Sequence, residues 1–87
     1  MSKHMVFFDC VSGPDGSKRY SIRLDPYKPA KSYEEEEFWQ LMLNCFSAKT
    51  EARTYFLGIL ADKGSITQEY SLTQECAAHI QLLQQLA

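Results

Sequence analysis

The stretch from Ser32 to Ser47 constrains the fold more than any other part of the chain. Wound as a helix at about 100° per residue, it places apolar side chains over an arc of roughly 200°, with only Gln40 and Asn44 opposite. The arc comprises Phe38, Trp39, Leu41, Met42, Leu43, Cys45 and Phe46. A helix on the surface of a globular protein needs an apolar stripe of only about 100°. We therefore expect this helix to be covered on two sides, at the centre of a small core.

The limits of this helix are predicted at about 33–46. Ser32 and Glu35 have the spacing of a capping box, and the glutamates at 34–37 complement the helix dipole. A second apolar stripe predicts a helix at 51–62, capped by Ser47 or Thr50 and followed by Gly64 past its end. A single helix over 33–62 is the alternative. It would be about 45 Å long, too long for a domain of this size, so we expect two helices.

The N-terminal segment predicts a β-hairpin. Residues 5–11 are aromatic and β-branched, with apolar side chains on both faces, which favours a strand covered on both sides. The segment 12–17 carries Pro14, Asp15 and Gly16, residues typical of a tight turn. Residues 18–25 then alternate, with Tyr20, Ile22 and Leu24 on one face.

The C-terminal third contains two similar hexapeptides, at 65–70 and 71–76. The first has a period of two and permits a third strand at 65–70. The second opens a helical pattern at 72–86, with Cys76, His79 and Ile80 on one face. The chain is thus predicted to be an α+β domain, in which an antiparallel hairpin and this third strand pack against three helices.

Composition limits the class of protein. Eighty-seven residues with 45% hydrophobic side chains are enough for one globular domain, spanning 1–87, and are unlike a disordered chain. No secretory signal or run of about 18 apolar residues is present, so a cytoplasmic protein is expected. Cys10, Cys45 and Cys76 are expected to be reduced thiols of the core.

Candidate reactive groups are few. Cys76 and His79 lie one helical turn apart, a spacing that suits a thiolate nucleophile or half of a zinc site. Both lie on the apolar stripe, however, and no third residue is spaced to support them, so a buried structural pair is favoured. The glutamates at 34–37 share one exposed environment, which does not separate their pKa values as acid–base catalysis requires. No catalytic, cofactor-binding or metal-binding residue is predicted.

Charge is unevenly distributed along the chain. Residues 1–31 carry six basic and three acidic side chains, whereas residues 32–87 carry three basic and eight acidic ones. Such asymmetry bears on partners. The predicted partner-binding residues are therefore Arg19, Arg23, Tyr27 and Lys28 of a basic strip, Glu35 and Glu36 of an acidic patch, and Trp39 beside them. For Trp39 a place in the core is the competing interpretation.

These features favour a small non-enzymatic protein that binds and masks a surface of another macromolecule. Inhibitors of host defence encoded by a phage or mobile element, immunity proteins and adaptors are proteins of this kind. The alternative is a nucleic-acid-binding module that uses the basic face of the hairpin, where aromatic and basic residues alternate. A protein or protein complex is the expected partner, no membrane contact is expected, and self-association stays open.

Overall fold

A computed structural model of the chain describes residues 2–87 and has an α+β fold, as predicted. The strands are β1 (Ser2–Ser12), β2 (Lys18–Arg23) and β3 (Ser65–Leu72), and the helices are α1 (Glu35–Cys45), α2 (Arg53–Lys63) and α3 (Gln74–Gln85). The predicted hairpin, third strand and three helices are therefore all confirmed. Strands β1 and β3 extend beyond their predicted limits, whereas β2 ends at Arg23, before the predicted residue 25. Each helix begins two residues later than predicted.

The three strands form an antiparallel sheet in the order β2-β1-β3. Phe8 of the central strand lies opposite Ile22 of β2 and Ile66 of β3. Because side chains alternate along a strand, this register puts Phe8, Ile22 and Ile66 on the same face of the sheet. We call this the inner face, and the opposite side the outer face.

The core lies between the inner face and the helices. Phe8 is fully buried, and its ring meets those of Phe38, Phe46, Phe56 and Tyr70 at centroid distances of 6.2, 5.5, 5.5 and 5.8 Å. These partners come from α1, the residue that follows it, α2 and β3. The edge-to-face orientations of these rings are the ones that aromatic quadrupoles favour.

The outer face of β1 is not covered, contrary to the expectation of burial on both sides. Met5 and Val11 point outward and keep 49% and 61% of their surface exposed. All three helices contribute their buried apolar residues to the single core on the inner face. The apolar residues on the second face of β1 therefore line a surface of the molecule.

The start of α1 differs from the predicted capping box. Tyr33 pairs with Tyr20 through two backbone hydrogen bonds, of 2.9 and 2.7 Å, which keep this part of the chain extended. The Ser32 hydroxyl accepts from Arg19 instead of capping the helix. Helix α1 begins only at Glu35, and its N-cap Glu34 makes no side-chain cap bond. A tertiary strand contact has displaced the local motif.

The predicted break between α1 and α2 is confirmed. Ser47 adopts a left-handed conformation with φ 52°, which the continuous helix would not allow. A short 3-10 turn at Thr50–Ala52 leads into α2. The N-cap of this turn is Lys49, which makes no side-chain cap bond, so neither Ser47 nor Thr50 acts as the predicted cap. Gly64 ends α2 as predicted, with φ 80° and an N–H that donates to Leu60.

Helix α3 starts two residues later than predicted. The strand continues to Leu72, which pairs with Ser2 at the end of β1. The N-cap is therefore Thr73, whose hydroxyl accepts from the Cys76 amide. The capping position of this helix is set by how far the strand pairing extends.

Replacing Phe38 by alanine should destabilise the protein strongly. Phe38 is fully buried against Phe8, so we expect Phe38→Ala to lower the free energy of unfolding by about 3–5 kcal/mol. Val11→Ala, at an exposed position of the sheet, should change it by less than about 0.5 kcal/mol. Urea unfolding followed by circular dichroism measures both values. Similar losses for the two variants would contradict the assignment of the core.

Alkaline pH should also destabilise the fold. Burial raises the pKa of Tyr20, Tyr33 and Tyr70 above the ordinary 10.0, and nearby Glu37 adds to the effect at Tyr33. A group with a raised folded pKa contributes stability that is complete below its unfolded pKa and is lost as the pH rises through the folded value. We therefore expect the free energy of unfolding to fall above about pH 10.

Tyr33→Phe isolates one of these phenols. The Tyr33 hydroxyl is buried and has no hydrogen-bond partner among residues 2–87. Removing it should raise the free energy of unfolding by about 1 kcal/mol at neutral pH and lessen the alkaline loss. Urea unfolding at several pH values is the measurement. A variant less stable than the wild type at neutral pH would show that the hydroxyl does have a partner.

Candidate interaction surface

The outer face of the sheet carries a mixture of apolar and charged side chains. The strand registers place Met5, Phe7, Asp9 and Val11 of β1 there, together with Arg19, Ser21 and Arg23 of β2 and Thr67 and Glu69 of β3. Phe7 is half-buried and has Arg23 on one side and Thr67 on the other. Opposite charges flank the apolar residues, as at the edge of many protein interfaces.

The loop at 24–31 is fixed to the body of the protein by Gln84. This side chain of α3 is 5% exposed, and its Oε1 accepts from the amides of Leu24 and Asp25 at 2.8 and 3.2 Å. Its Nε2 donates to the carbonyls of Asp25 and Pro29 at 3.0 and 3.4 Å. A single buried amide thus satisfies four backbone groups of the loop, which would otherwise be costly to bury.

Arg23 holds the same loop from the outer face. Its Nε donates to the Lys28 carbonyl at 3.0 Å, while its Nη1 forms an ion pair with Asp9 and donates to Ser21. An open groove of about 500 Å³ lies between the loop and the sheet. It is lined by Phe7, Asp9, Arg23, Pro26, Tyr27, Lys28 and Pro29 among others. The predicted residues Arg23, Tyr27 and Lys28 therefore meet at one place.

Tyr27 is presented on an ordered turn beside this groove. It is 95% exposed, the largest exposure among the large hydrophobic residues described. Its amide donates to the Asp25 carboxylate at 3.0 Å, and the Lys28 amide donates to the Asp25 carbonyl at 3.3 Å. Local hydrogen bonds and the two anchors of the loop hold the backbone, while the ring itself is free to meet a partner.

The other predicted residues lie outside the groove. Arg19 donates to the Ser32 carbonyl at 3.0 Å and lies 3.9 Å from Glu34, so its charge is partly compensated. Glu35 and Glu36 accept from the Arg53 guanidinium at 2.8 and 2.6 Å. The hydrogen bond that Arg53 donates to Glu36, and then the one to Glu35, raise the pKa of Arg53. The acidic patch therefore joins α1 to α2.

Trp39 belongs to the core and not to the surface, which corrects its predicted place among the contact residues. It is 2% exposed, and its ring lies 6.3 Å from that of Phe56. The wide apolar arc of the helix signalled this outcome, because both of its flanks are covered. No surface of Trp39 is left for a partner to contact in this conformation.

The predicted pairing of Cys76 with His79 is not observed. His79 is exposed, and the sulfur of the half-buried Cys76 instead lies 3.8 Å from the Asn44 carbonyl. Among residues 2–87, no three His, Cys, Asp or Glu side chains are grouped to hold a metal ion. No helix in this part of the chain has the length and apolar character needed to traverse a bilayer.

Three residues of the surface were not found from the sequence. Asp9 and Phe7 lie in a strand that is apolar on both faces. This pattern does indicate an interaction surface, because a strand with a second apolar face tends to have that face covered as well. Gln84 gave no signal, since its partners lie about sixty residues earlier in the chain.

No match is found when the chain is compared with protein-family models, with curated proteins and with solved structures.

Gln84→Met tests the anchoring of the loop. Methionine keeps the size of the side chain but removes its four hydrogen bonds to the loop, so that the Leu24 and Asp25 amides lose their Gln84 acceptor, and we expect a loss of about 1–3 kcal/mol in the free energy of unfolding. The amides of Leu24 and Asp25 should also exchange hydrogen faster. Gln81→Met, at an exposed position of the same helix, is the matched control and should change little. Equal effects of both variants would contradict the anchoring role.

Proposed function

We propose that the protein is a non-enzymatic interaction module that binds another protein through Tyr27, Lys28 and the adjoining outer face of the sheet. The observation that carries this proposal is the exposed Tyr27 on a loop held by Gln84 and Arg23. Tyrosine is among the residues most enriched at the energetic centres of protein interfaces. A backbone that is already ordered loses little further conformational entropy when a partner binds.

The chemistry around Tyr27 defines the partner's complementary surface. Phe7 at the floor of the groove favours an apolar side chain, and the exposed Lys28 favours a carboxylate beside it. Exposed Met5 and Val11 extend the apolar contact along the sheet. We infer a partner that offers a pocket for the tyrosine ring, with apolar groups around it and an acidic group at its edge.

The partners of Arg23 and Arg19 argue against the nucleic-acid alternative. A phosphate backbone is bound by cationic groups that are free to replace its counterions. Arg23 is instead paired with Asp9, and Arg19 is hydrogen bonded to Ser32 and lies near Glu34. Binding a phosphate would require these pairs to be broken or would place carboxylates beside the phosphate. The outer face is therefore better suited to a protein than to a nucleic acid.

Masking is the mode of action that best suits such a surface. The groove is open to a partner's surface. A protein that acts by occupying that surface needs no catalytic residues of its own. The chain would then work in the cytoplasm as an inhibitor, an immunity protein or an adaptor. An inhibitor of host defence encoded by a phage or mobile element is the most specific form of this proposal.

A binding experiment with matched tyrosine variants tests the proposed surface. The tagged protein is used to capture a partner from lysate, the complex is treated with nuclease, and the affinity of the purified partner is measured. We expect Tyr27→Ala to weaken binding at least about 30-fold, as for a residue at the centre of an interface. Tyr55→Ala, which removes a ring that is 74% exposed on α2, should leave the affinity unchanged.

Salt dependence decides between the two classes of partner. A nucleic acid should give a log–log slope of affinity against salt of about −0.7 to −0.9 per phosphate contacted, whereas a protein partner should give a shallow slope. Replacing Glu35 and Glu36 by glutamine should strengthen nucleic-acid binding but not protein binding. A steep slope with nuclease-sensitive capture would favour the alternative. Equal losses from Tyr27→Ala and Tyr55→Ala would reject the proposed surface.

A further inference from the structure

Cys45 and Cys76 form a pair of thiols that the sequence does not place together. Cys45 is the last residue of α1, and Cys76 is the third residue of α3. The Cys76 Sγ lies 3.8 Å from the carbonyl oxygen of Asn44, the residue that precedes Cys45, so the start of α3 lies beside the end of α1 at these two cysteines. The remaining cysteine, Cys10, lies on β1 opposite Tyr20 of β2. Both members of the pair are half-buried, so neither is sealed from solvent.

The position of the two thiols suits an intramolecular disulfide. The Cys76 sulfur already lies beside the backbone that leads into Cys45, so local adjustment of the two side chains and helix ends can bring the sulfur atoms to bonding distance. The two residues end and begin separate helices, where a short adjustment of the backbone meets less resistance than in the middle of either helix. The bond would also close a long loop of about 32 residues, a length for which a cross-link strongly restricts the unfolded chain.

We propose that Cys45 and Cys76 are a redox-responsive pair, which a low-molecular-weight disulfide such as oxidised glutathione converts into a reversible bond between α1 and α3.

The exchange proceeds in two balanced steps. The Cys76 thiolate attacks one sulfur of oxidised glutathione, which breaks the S–S bond and expels one glutathione thiolate. The Cys45 thiolate then attacks the Cys76 sulfur of this mixed disulfide and expels the second glutathione. The proton released by each cysteine is taken up by an expelled thiolate. The two cysteines are oxidised, and one oxidised glutathione is reduced to two thiols.

Cys76 is the thiol that attacks first. Burial above all, and then the neighbouring Cys76, raise the pKa of Cys45 to about 12, so Cys45 stays protonated at neutral pH. Cys76 lies in the first turn of α3 and is the other thiol of the pair, so the first attack falls to it. Once Cys76 is bound to glutathione, the repulsion from its charge is gone, and Cys45 can act as the resolving thiol.

Redox titration of the native protein tests the pair. The folded chain is equilibrated in buffers with increasing ratios of oxidised to reduced glutathione, quenched in acid, alkylated and mapped by mass spectrometry. We expect a disulfide between Cys45 and Cys76, with Cys10 left to be alkylated. Its equilibrium constant against glutathione should be at least about 10-fold higher in the folded chain than in concentrated urea. By the same linkage, oxidation should raise the melting temperature.

Variants separate this pair from the third cysteine. Cys10→Ser should form the same disulfide with an unchanged equilibrium constant. Cys45→Ser should instead accumulate glutathione on Cys76, which identifies the attacking thiol. The proposal is overturned if the equilibrium constant is no higher in the folded chain than in urea, if Cys10 takes part in the bond, or if oxidation lowers the melting temperature. The titration of the wild-type chain decides the matter even if a variant does not fold.

Discussion

The burial of Phe8 is the contact on which the rest of the structure depends. Its ring lies at the middle of the central strand and meets aromatic rings from or next to α1, α2 and β3. A small domain has few residues far enough from solvent to be fully buried, so the ring that reaches every layer fixes where the others pack. The outer face can then stay open, because stability is concentrated on the inner one.

Local patterns predicted the elements of the fold but not all of their ends. Alternation identified β2, and the wide apolar arc identified α1 as a helix covered on two sides, which the burial of both Phe38 and Trp39 bears out. The ends were decided by contacts between distant residues. Pairing of Tyr33 with Tyr20 delays α1, and pairing of Leu72 with Ser2 delays α3. Capping motifs report only the preference of the nearby chain.

The candidate surface was predictable only in part, for a similar reason. Basic and aromatic residues at 19–28 marked the right segment, and three of them do meet in the groove. Their surroundings could not be read from the sequence, because Asp9 and Gln84 act across long separations. A count of charges described Arg19 and Arg23 as a free basic strip. Only the structure shows that carboxylates partly compensate both of them.

Ion pairs link the basic N-terminal part of the chain to its acidic middle part. The basic N-terminal part and the acidic middle part are drawn together by Arg19 with Glu34, while Arg53 joins the acidic run to α2. Exposed pairs of this kind contribute little stability individually, but they orient the side chains that they join. Internal compensation leaves the outer face with little free charge, so shape and apolar contact around Tyr27 dominate recognition there. Charge on this surface acts mainly on selectivity and rate of encounter.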